Sequence, residues 1–317
     1  MYTTLIEAAE LAANADDWAV LDCRFDLAKP EWGASVYAQG HIANALYAHL
    51  DRDLSGPVTP TSGRHPLPSP EAFMATVGRW GIDPGVQVIA YDQGNGAYAS
   101  RLWWLMRWVG HRAVAVLNGG FAAWQQAGLP VSTQARAKEP RRPGVPAPRA
   151  PATATDVTAA GVTAGAVATG GVAAGGITQA GVVSTVELEK LRAAGQLASG
   201  ARTLIDARSA DRFAGHNETL DPVAGHIPGA KNRPFLQNLD AQGRFLPAAT
   251  LRSQWLQTLQ GNAPATVIAM CGSGVTACHN LLALEIAGLP GAQLYAGSWS
   301  EWIRDAARPI ESEHSSP

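Results

Sequence analysis

An internal repetition constrains the fold of this chain more than any other feature of its sequence. Segments of the first half recur in the same order 178 to 185 residues later. The matching positions are Thr4 and Ser184, Ala19 and Thr203, His41 and His226, Asp92 and Cys271, and Trp124 and Trp302. In TLIE and STVE, Thr4 and Ser184 each begin a capping box, and each is expected to open a helix. An ordered repeat of this kind predicts two copies of one domain of roughly 130 residues.

Each copy alternates short apolar strands with longer helical patterns. AVLDCR (19–24) and TLIDAR (203–208) are predicted as buried strands, and SRLWWLMRWVG (100–110) and ACHNLLALEIAG (277–288) as helices. Strands that alternate with helices build a mostly parallel sheet covered on both faces. The predicted fold class is α/β, with two such domains, over residues 1–134 and 184–312.

The segment between the copies, residues 135–183, has an unusual composition. Its first part, ARAKEPRRPGVPAPRAPA (135–152), is basic and proline-rich, and an extended, solvated chain is expected there. The rest is almost entirely Ala, Gly, Thr and Val, with Asp156 as its one charged residue. Such small side chains bury too little surface to stabilise a core, so a disordered linker is predicted. A packed hairpin or a contact surface is the alternative, because Val and Thr recur.

The overall composition narrows the classes of protein that this chain can belong to. The formal net charge of −2 gives no electrostatic argument for binding nucleic acid or an anionic membrane. No apolar run approaches the roughly 18 residues that a membrane-spanning helix needs. The acidic start lacks the layout of a signal peptide, and three cysteines do not indicate a disulfide framework. The sequence therefore predicts a cytoplasmic protein with free thiols.

The stretch VIAMCGSGVTACHN (267–280) contains the residues best suited to chemistry. The strand in this stretch ends at Cys271. Gly272 and Gly274 then allow a tight turn, and a helix is predicted from about Val275. Backbone N–H groups in such a turn point inward, and the helix N-terminus adds a positive dipole end. This setting favours a reactive thiolate, and the same amides could hold a persulfide.

Other uses of the cysteine loop are less consistent with the residue spacing. Cys271 and Cys278 are seven residues apart and no second ligand pair follows, which disfavours a metal site. A redox dithiol would need a C-x-x-C motif, and Cys278 falls inside the predicted helix, where it is expected to pack on the sheet. A cysteine phosphatase would place an arginine at the position of Ala277. We therefore expect neither a metal nor another cofactor.

At the level of motifs, CGSGVTA closely resembles the active-site loop of rhodanese-fold sulfurtransferases, and best of all that of the 3-mercaptopyruvate sulfurtransferases. LIDARSADRF, GHIPGAKNRPF and YAGSWSEW resemble other motifs of the same family. The N-terminal copy resembles the family's inactive partner domain, since YDQGNGAYASRLWW has Asp92 at the position of the cysteine. The resemblance covers both copies and excludes only the linker.

The resemblance implies a role for each residue of the loop and its surroundings. Cys271 would attack a small anionic sulfur donor and form a persulfide, which cyanide, a small thiol or thioredoxin would then accept. Arg212 would bind the anionic end of the donor. The remaining loop residues implied in substrate binding are Gly272, Gly274, Val275, Thr276 and Ala277.

The resemblance also implies a catalytic triad that includes Ser273. Its partners in the N-terminal copy map onto Asp53 and His65, within DRDLSGPVTPTSGRHPLP, although this mapping requires a one-residue insertion. The alternative is that Asp53 caps a turn and His65 is an ordinary loop residue. His41 and His226 occur in both copies, including the inactive one, so they are predicted to be structural.

Two features leave the donor open. Mercaptopyruvate enzymes commonly have a second arginine shortly after Arg212, but AGHNETLDPVAG (214–225) contains none. Thiosulfate-type rhodaneses tend to have basic residues in the loop, where Gly272 and Ser273 are neutral. The predicted donor is 3-mercaptopyruvate, with thiosulfate as the alternative. A non-catalytic sulfur carrier or regulatory module, with the linker as its docking element, is the alternative from another class.

Overall fold

Two parallel sheets, one in each copy of the repeat, form the framework of the protein. The computed structural model describes residues 1–15, 17–134 and 181–313. Most of the predicted linker therefore lies outside the described residues. Its last three residues contradict the prediction, because Val182 pairs in parallel with Leu294 and Gly181 accepts a hydrogen bond from the Leu294 N–H. The second domain begins at this added strand contact, before Ser184.

The N-terminal domain has five parallel strands in the spatial order β1-β6-β5-β2-β4. These strands are β1 (Leu5–Ile6), β2 (Ala19–Asp22), β4 (Leu46–Tyr47), β5 (Val88–Tyr91) and β6 (Val114–Leu117). A separate antiparallel pair consists of β3 (His41–Ile42) and β7 (Val131–Ser132). The helices are α1 (Ala8–Ala12), α2 (Trp32–Gln39), α3 (Pro70–Arg79), α4 (Ala99–Trp108) and α5 (Gly120–Gln126).

The C-terminal domain repeats this plan with four parallel strands in the order β11-β10-β8-β9. They are β8 (Thr203–Asp206), β9 (Lys231–Asn232), β10 (Val267–Met270) and β11 (Gln293–Leu294). The helices are α6 (Thr185–Ala193), α7 (Ala210–Ala214), α8 (Ala248–Leu259), α9 (Thr276–Ile286) and α10 (Ser298–Trp302). Short 3₁₀ helices span Phe235–Asn238 and Pro264–Thr266. The predicted fold class is thus confirmed.

Of the two predicted capping boxes, one is correct and one is wrong. Ser184 and Glu187 form the box that opens α6. In the first copy, Leu5 and Ile6 instead form β1, an edge strand that pairs with β6, and the helix begins at Ala8 with Glu7 as its N-cap. Strand pairing with a buried neighbour outweighs the local helix signal, because it satisfies backbone groups and buries Ile6 at once.

The central strands are buried on both faces, as their continuous apolar runs predict. Alternate residues of each sheet contribute to a large core between the domains or to a smaller core on the outer face. The large core is continuous across the domains, since α4 of the first packs against α9 of the second. These helices directly follow the Asp92 and Cys271 loops, so the packing brings the two loop regions together. Within the described residues, no helix combines the length and apolarity needed to cross a membrane.

Candidate active site

Cys271 directly follows β10, at the carboxyl edge of the C-terminal sheet, where open α/β sheets bind ligands. Its Sγ accepts a hydrogen bond from the N–H of Gly274 at 3.2 Å. Gly274 has a φ of 79°, and a Cβ there would lie 2.4 Å from the carbonyl oxygen of Ala296. Only glycine fits this turn, which is the conformation that the sequence predicted for the loop.

The segment that begins α10 holds the cysteine loop from below. The N–H of Cys271 donates to Ser298 Oγ at 3.1 Å. The N–H groups of Trp299 and Ser300 donate to the carbonyls of Cys271 and Gly272 at 3.0 and 2.8 Å. These bonds turn the loop carbonyls towards α10 and away from the cavity above the loop. They give the YAGSWSEW motif a physical role that sequence reasoning did not assign.

In the N-terminal copy, the silent copy because it has Asp92 at the position of the cysteine, the corresponding loop surrounds a carboxylate. The buried Asp92 carboxylate accepts four backbone N–H groups at 2.9 to 3.2 Å; their donors are Gly94, Gly96, Tyr98 and Ala99. Burial raises the pKa of Asp92, and these four hydrogen bonds oppose that effect. The loop of the N-terminal domain is therefore built around a negative group, the protein's own side chain.

A chain of three polar side chains connects the cysteine loop to the other domain. Ser273 Oγ lies 2.7 Å from His65 Nδ1, and His65 Nε2 lies 3.2 Å from Asp51 Oδ1. Because a carboxylate only accepts hydrogen bonds, His65 carries its proton on Nε2, and its Nδ1 accepts from the serine hydroxyl. Burial lowers the pKa of His65, partly offset by the hydrogen bond with Asp51, and that same bond lowers the pKa of Asp51.

The structure corrects the predicted triad in one member. His65 and Ser273 meet as expected, but the carboxylate partner is Asp51 and not Asp53. Asp53 instead caps a turn, since its Oδ2 accepts the N–H of His49 at 2.9 Å, and its other oxygen lies 3.5 Å from Arg79 Nη2. The two aspartates are two positions apart in an irregular loop, where no periodic pattern in the sequence indicates which side chain faces His65.

A cavity of about 280 Å³ lies above the loop, between the domains. Its walls include Cys271, Gly272, Ser273, Val275 and Thr276 from the loop. The N-terminal domain contributes Leu27, Arg64, Gln93, Asn95, Ala97 and Tyr98, and the C-terminal domain adds Ala207, Arg208, Ser209, Arg212, Leu220 and Phe235. Of the other predicted loop residues, Gly274 supplies its amide to the sulfur and Ala277 is buried in the first turn of α9. Neither lines the cavity.

Charged side chains cluster on one side of this cavity. Arg212 reaches Glu218 through Nε at 3.1 Å and through Nη2 at 2.8 Å, and Nη2 also lies 3.3 Å from Asp221. Arg64 of the N-terminal domain pairs with the same Asp221. The segment that lacks the expected second arginine thus supplies the carboxylates that fix Arg212. Arg64 was missed by sequence reasoning, because only the domain packing brings it to this wall.

Beneath the loop, a second arginine of the N-terminal domain is completely buried. Arg101, on α4, donates to the carbonyls of Gly274 at 3.2 Å, His65 at 3.1 Å and Leu54 at 3.3 Å. No carboxylate pairs with it among the described residues, and burial lowers its pKa. Arg101 therefore links the loop of the cysteine to the loop of the histidine.

Cys278 has the packing role that the sequence predicted. Its side chain is fully buried in α9, and its thiol donates to the carbonyl of Gly274 at 3.3 Å. Burial raises the pKa of Cys278 to about 12, so the thiol stays protonated at neutral pH. Cys278 is therefore a structural thiol, in contrast to the cavity-lining Cys271.

The repeated polar residues stabilise each domain in the same way. Arg24 binds Asp22 and the carbonyl of Gly40, and Arg208 binds Asp206 and the carbonyl of Gly225. His41 and His226 stack on aromatic rings at 3.9 and 3.8 Å, and each contacts a backbone carbonyl through Nδ1. Neither histidine lines the cavity, as expected of residues shared with the silent copy.

Comparison with known proteins assigns the chain to a family. The family model described as "Rhodanese-like domain" matches twice, over residues 7–127 and 184–305. The chain belongs to the rhodanese-like family. A Pseudomonas aeruginosa protein described as "Probable 3-mercaptopyruvate sulfurtransferase" is 42% identical over 310 residues, which cover 96% of this chain and 97% of that protein. The Gallus gallus thiosulfate sulfurtransferase is 31% identical over 95% of this chain and 92% of its own length.

Solved structures agree with this family assignment. The 3-mercaptopyruvate sulfurtransferase from Leishmania major is 29% identical, with a TM-score of 0.71 over 95% of this chain and 74% of that one. A yeast sulfur transferase subunit of mitochondrial complex I is 28% identical, with a TM-score of 0.76 over 98% and 99% of the two chains. The sequence prediction of a two-domain rhodanese-like sulfurtransferase is confirmed. As in the predicted arrangement, this rhodanese-like protein has one loop with a cysteine and one with Asp92.

Proposed function

We propose that this rhodanese-like sulfurtransferase takes sulfur from 3-mercaptopyruvate and carries it as a persulfide on Cys271. One observation favours this donor most: Ser273, which lines the cavity together with Cys271, is linked through His65 to Asp51. Serine, neutral histidine and carboxylate form a path along which a proton can be accepted and returned. The donor must therefore be one whose reaction moves a proton.

Sulfur transfer from 3-mercaptopyruvate has this requirement. The Cys271 thiolate attacks the donor sulfur, an S–S bond forms, and the C–S bond breaks with its electron pair on the carbon. The products are the enzyme persulfide and the enolate of pyruvate, and the enolate must gain a proton to become pyruvate. The donor's own S–H proton can supply it, passing to Ser273 and His65 and then back to the carbon. Electrons and protons balance without a cofactor.

Thiosulfate is the second candidate donor, because the arginines at the cavity suit its negative charge as well. Arg64 and Arg212 would attract a sulfonate as well as a carboxylate. Attack of the thiolate on the outer sulfur of thiosulfate releases sulfite, which leaves with its electron pair and needs no proton. The serine relay would then have no task in the reaction, so 3-mercaptopyruvate accounts for more of the site.

The second half of the cycle returns the thiolate. A thiophilic acceptor (cyanide, a small thiol or thioredoxin) attacks the outer sulfur of the persulfide, and the S–S bond breaks with its electron pair on Cys271. The Asp92 loop, which follows the corresponding strand of the silent copy, supports this view, because its amides surround a carboxylate much as the Gly274 amide contacts the sulfur. The three free, buried cysteines suit a reducing compartment such as the cytoplasm, which we propose as the location.

Persulfide formation and donor kinetics test the proposal together. Wild-type protein incubated with 3-mercaptopyruvate should gain the mass of one sulfur atom, and Cys271→Ser should gain none and lose turnover. Cys278→Ser is the matched control and should retain both. A kcat/KM ratio that strongly favours thiosulfate would replace the proposed donor. Persulfide that forms without transfer to any small acceptor would indicate the non-catalytic carrier instead.

A further inference from the structure

Arg64 reaches from the silent domain onto the cysteine loop of the other domain. A Cβ built on Gly272, the residue after the nucleophile, would lie 3.0 Å from Arg64 Nη2. The same position is 3.5 Å from Arg212 Nη2 and 3.7 Å from Arg212 Nη1. Two guanidinium groups, one from each domain, thus lie against the same point beside Cys271. Any side chain at position 272 would displace them.

One buried carboxylate holds these two guanidinium groups in place. Asp221 pairs with Arg64 through Oδ1 and lies 3.3 Å from Arg212 Nη2 through Oδ2. Its side chain is 2% exposed, so the arrangement is screened little by solvent. The backbone N–H of Arg64 also donates to Ser300 Oγ at 3.0 Å, which anchors its loop to α10. Within the described residues, Arg64 Nη2 has no hydrogen-bond partner, and it lies beside the cavity.

The charges around the cavity explain why a third arginine is needed there. Arg208 and Arg212 lie among three carboxylates, those of Asp206, Glu218 and Asp221. Without Arg64, this wall would be net negative before an anionic donor approached the Cys271 thiolate. Arg64 balances the third carboxylate, and its remaining N–H groups provide donors for an incoming anion.

We propose that Arg64 and Arg212 together bind the carboxylate of the donor, so that both domains form the donor site. This inference rests on the proposed function, because it names the site for the carboxylate of 3-mercaptopyruvate. Two guanidinium groups that converge on one point can each donate a directed hydrogen bond to the same planar carboxylate. Arg64 would thereby replace the second arginine that residues 214–225 lack. The silent domain then supplies both the proton relay and half of the anion site.

Steady-state kinetics of Arg64→Met, Arg64→Lys and Arg212→Met with 3-mercaptopyruvate test this assignment. We expect Arg64→Met to raise KM about 10- to 100-fold, the range for a lost charged hydrogen bond, with kcat within about threefold of wild type. The inhibition constant of pyruvate, which has the carboxylate but no sulfur, should rise in parallel. Arg64→Lys keeps the positive charge but loses the planar guanidinium with its paired N–H donors, so the rise in KM should be smaller. Lys190→Met, at an exposed position of α6, is the control and should change neither KM nor the pyruvate inhibition constant.

Each contrary outcome has a distinct meaning. If Arg64 only supported the loop of His65, kcat would fall in Arg64→Met and the pyruvate inhibition constant would not change, which would refute the anion role. An unchanged KM in an active, folded Arg64→Met protein would refute it as well. If Arg64→Met does not fold, the KM and the pyruvate inhibition constant of Arg64→Lys test the anion role instead. Wild type that forms a persulfide with thiosulfate but not with 3-mercaptopyruvate would refute the proposed donor and the carboxylate site together.

Discussion

His65 Nδ1 of the N-terminal domain lies 2.7 Å from Ser273 Oγ of the C-terminal domain, across 208 residues of sequence. Because His65 belongs to the copy that lacks the cysteine, that copy is not merely a remnant of duplication. It contributes a titratable group, and the contact exists only when α4 and α9 pack against each other. The predictions below test how the two domains share the site.

Asp51 and Asp53 form a matched pair for testing the relay. Asp51→Asn should lower kcat/KM for 3-mercaptopyruvate about 100-fold, since an amide cannot stabilise protonated His65 as a carboxylate does. Asp53→Asn should lower it less than threefold and mainly cost about 1 kcal/mol of unfolding free energy, through the weakened turn. Steady-state kinetics and urea unfolding measure the two effects. Equal kinetic losses in the two variants would contradict the assignment of Asp51.

The acid side of the pH profile should reflect the lowered pKa of His65. Burial favours the neutral ring, so the pKa of His65 lies below its ordinary value of 6.5. His65 can therefore still accept a proton just below pH 6.5. It loses this ability only as the pH falls through the lowered pKa. The ratio of kcat/KM for 3-mercaptopyruvate to that for thiosulfate cancels any pH dependence that the two reactions share. This ratio should stay constant from pH 8 to 6.5 and decrease below. A decrease that begins between pH 8 and 7 would be inconsistent with His65 as the accepting group.

Arg101→Met should impair the reaction with either donor by lowering kcat, whereas Arg64→Met should act mainly on KM. The carbonyls of Gly274, His65 and Leu54 would lose their buried donor, so we expect a loss of about 2–4 kcal/mol in unfolding free energy and a lower kcat. Arg107→Met, on the same helix, is the control. Arg107 pairs with Glu285 at 3.4 Å and contacts neither loop, so its loss should leave kcat unchanged. Thermal unfolding and kcat are the measurements, and an unchanged kcat in Arg101→Met would exclude the positioning role.

Asp92→Ala should destabilise the N-terminal domain through its silent loop. Four N–H groups, two of them buried and two part-buried, would lose their acceptor, and we expect a loss of about 2–5 kcal/mol in the free energy of unfolding. Asp17→Ala, at an exposed position, should change it by less than about 0.5 kcal/mol. Urea denaturation compares the two variants. Equal stabilities would mean that the Asp92 carboxylate does not hold the turn.

Much of the chemistry of this protein was predictable because it depends on local sequence. The turn around Cys271 requires glycine at position 274 for steric reasons, and the amides of such a turn always point to its inside. The strands before and the helices after each loop follow from short apolar runs and from helical periodicity. The duplication was visible for the same reason, since each copy must build the same buried strands.

Three features followed from tertiary packing and not from local pattern. Thr4 begins a helix-capping sequence, but pairing of Leu5 and Ile6 with β6 made the segment a strand. Asp51 replaced Asp53 beside His65, because the direction of each side chain in an irregular loop depends on contacts formed elsewhere. Arg64 reached the donor cavity only through the interface between the domains.

The sequence by itself therefore determined the duplicated α/β fold, the cysteine loop of the second copy and the absence of that cysteine from the first. The tertiary structure decided which residues of the silent domain meet the cysteine loop. The physical reason is that backbone conformation and burial depend on neighbours along the chain, whereas the contacts of His65, Arg64 and Arg101 with the C-terminal domain depend on how the two domains pack. Pairings across more than 150 residues leave no periodic signal in one sequence.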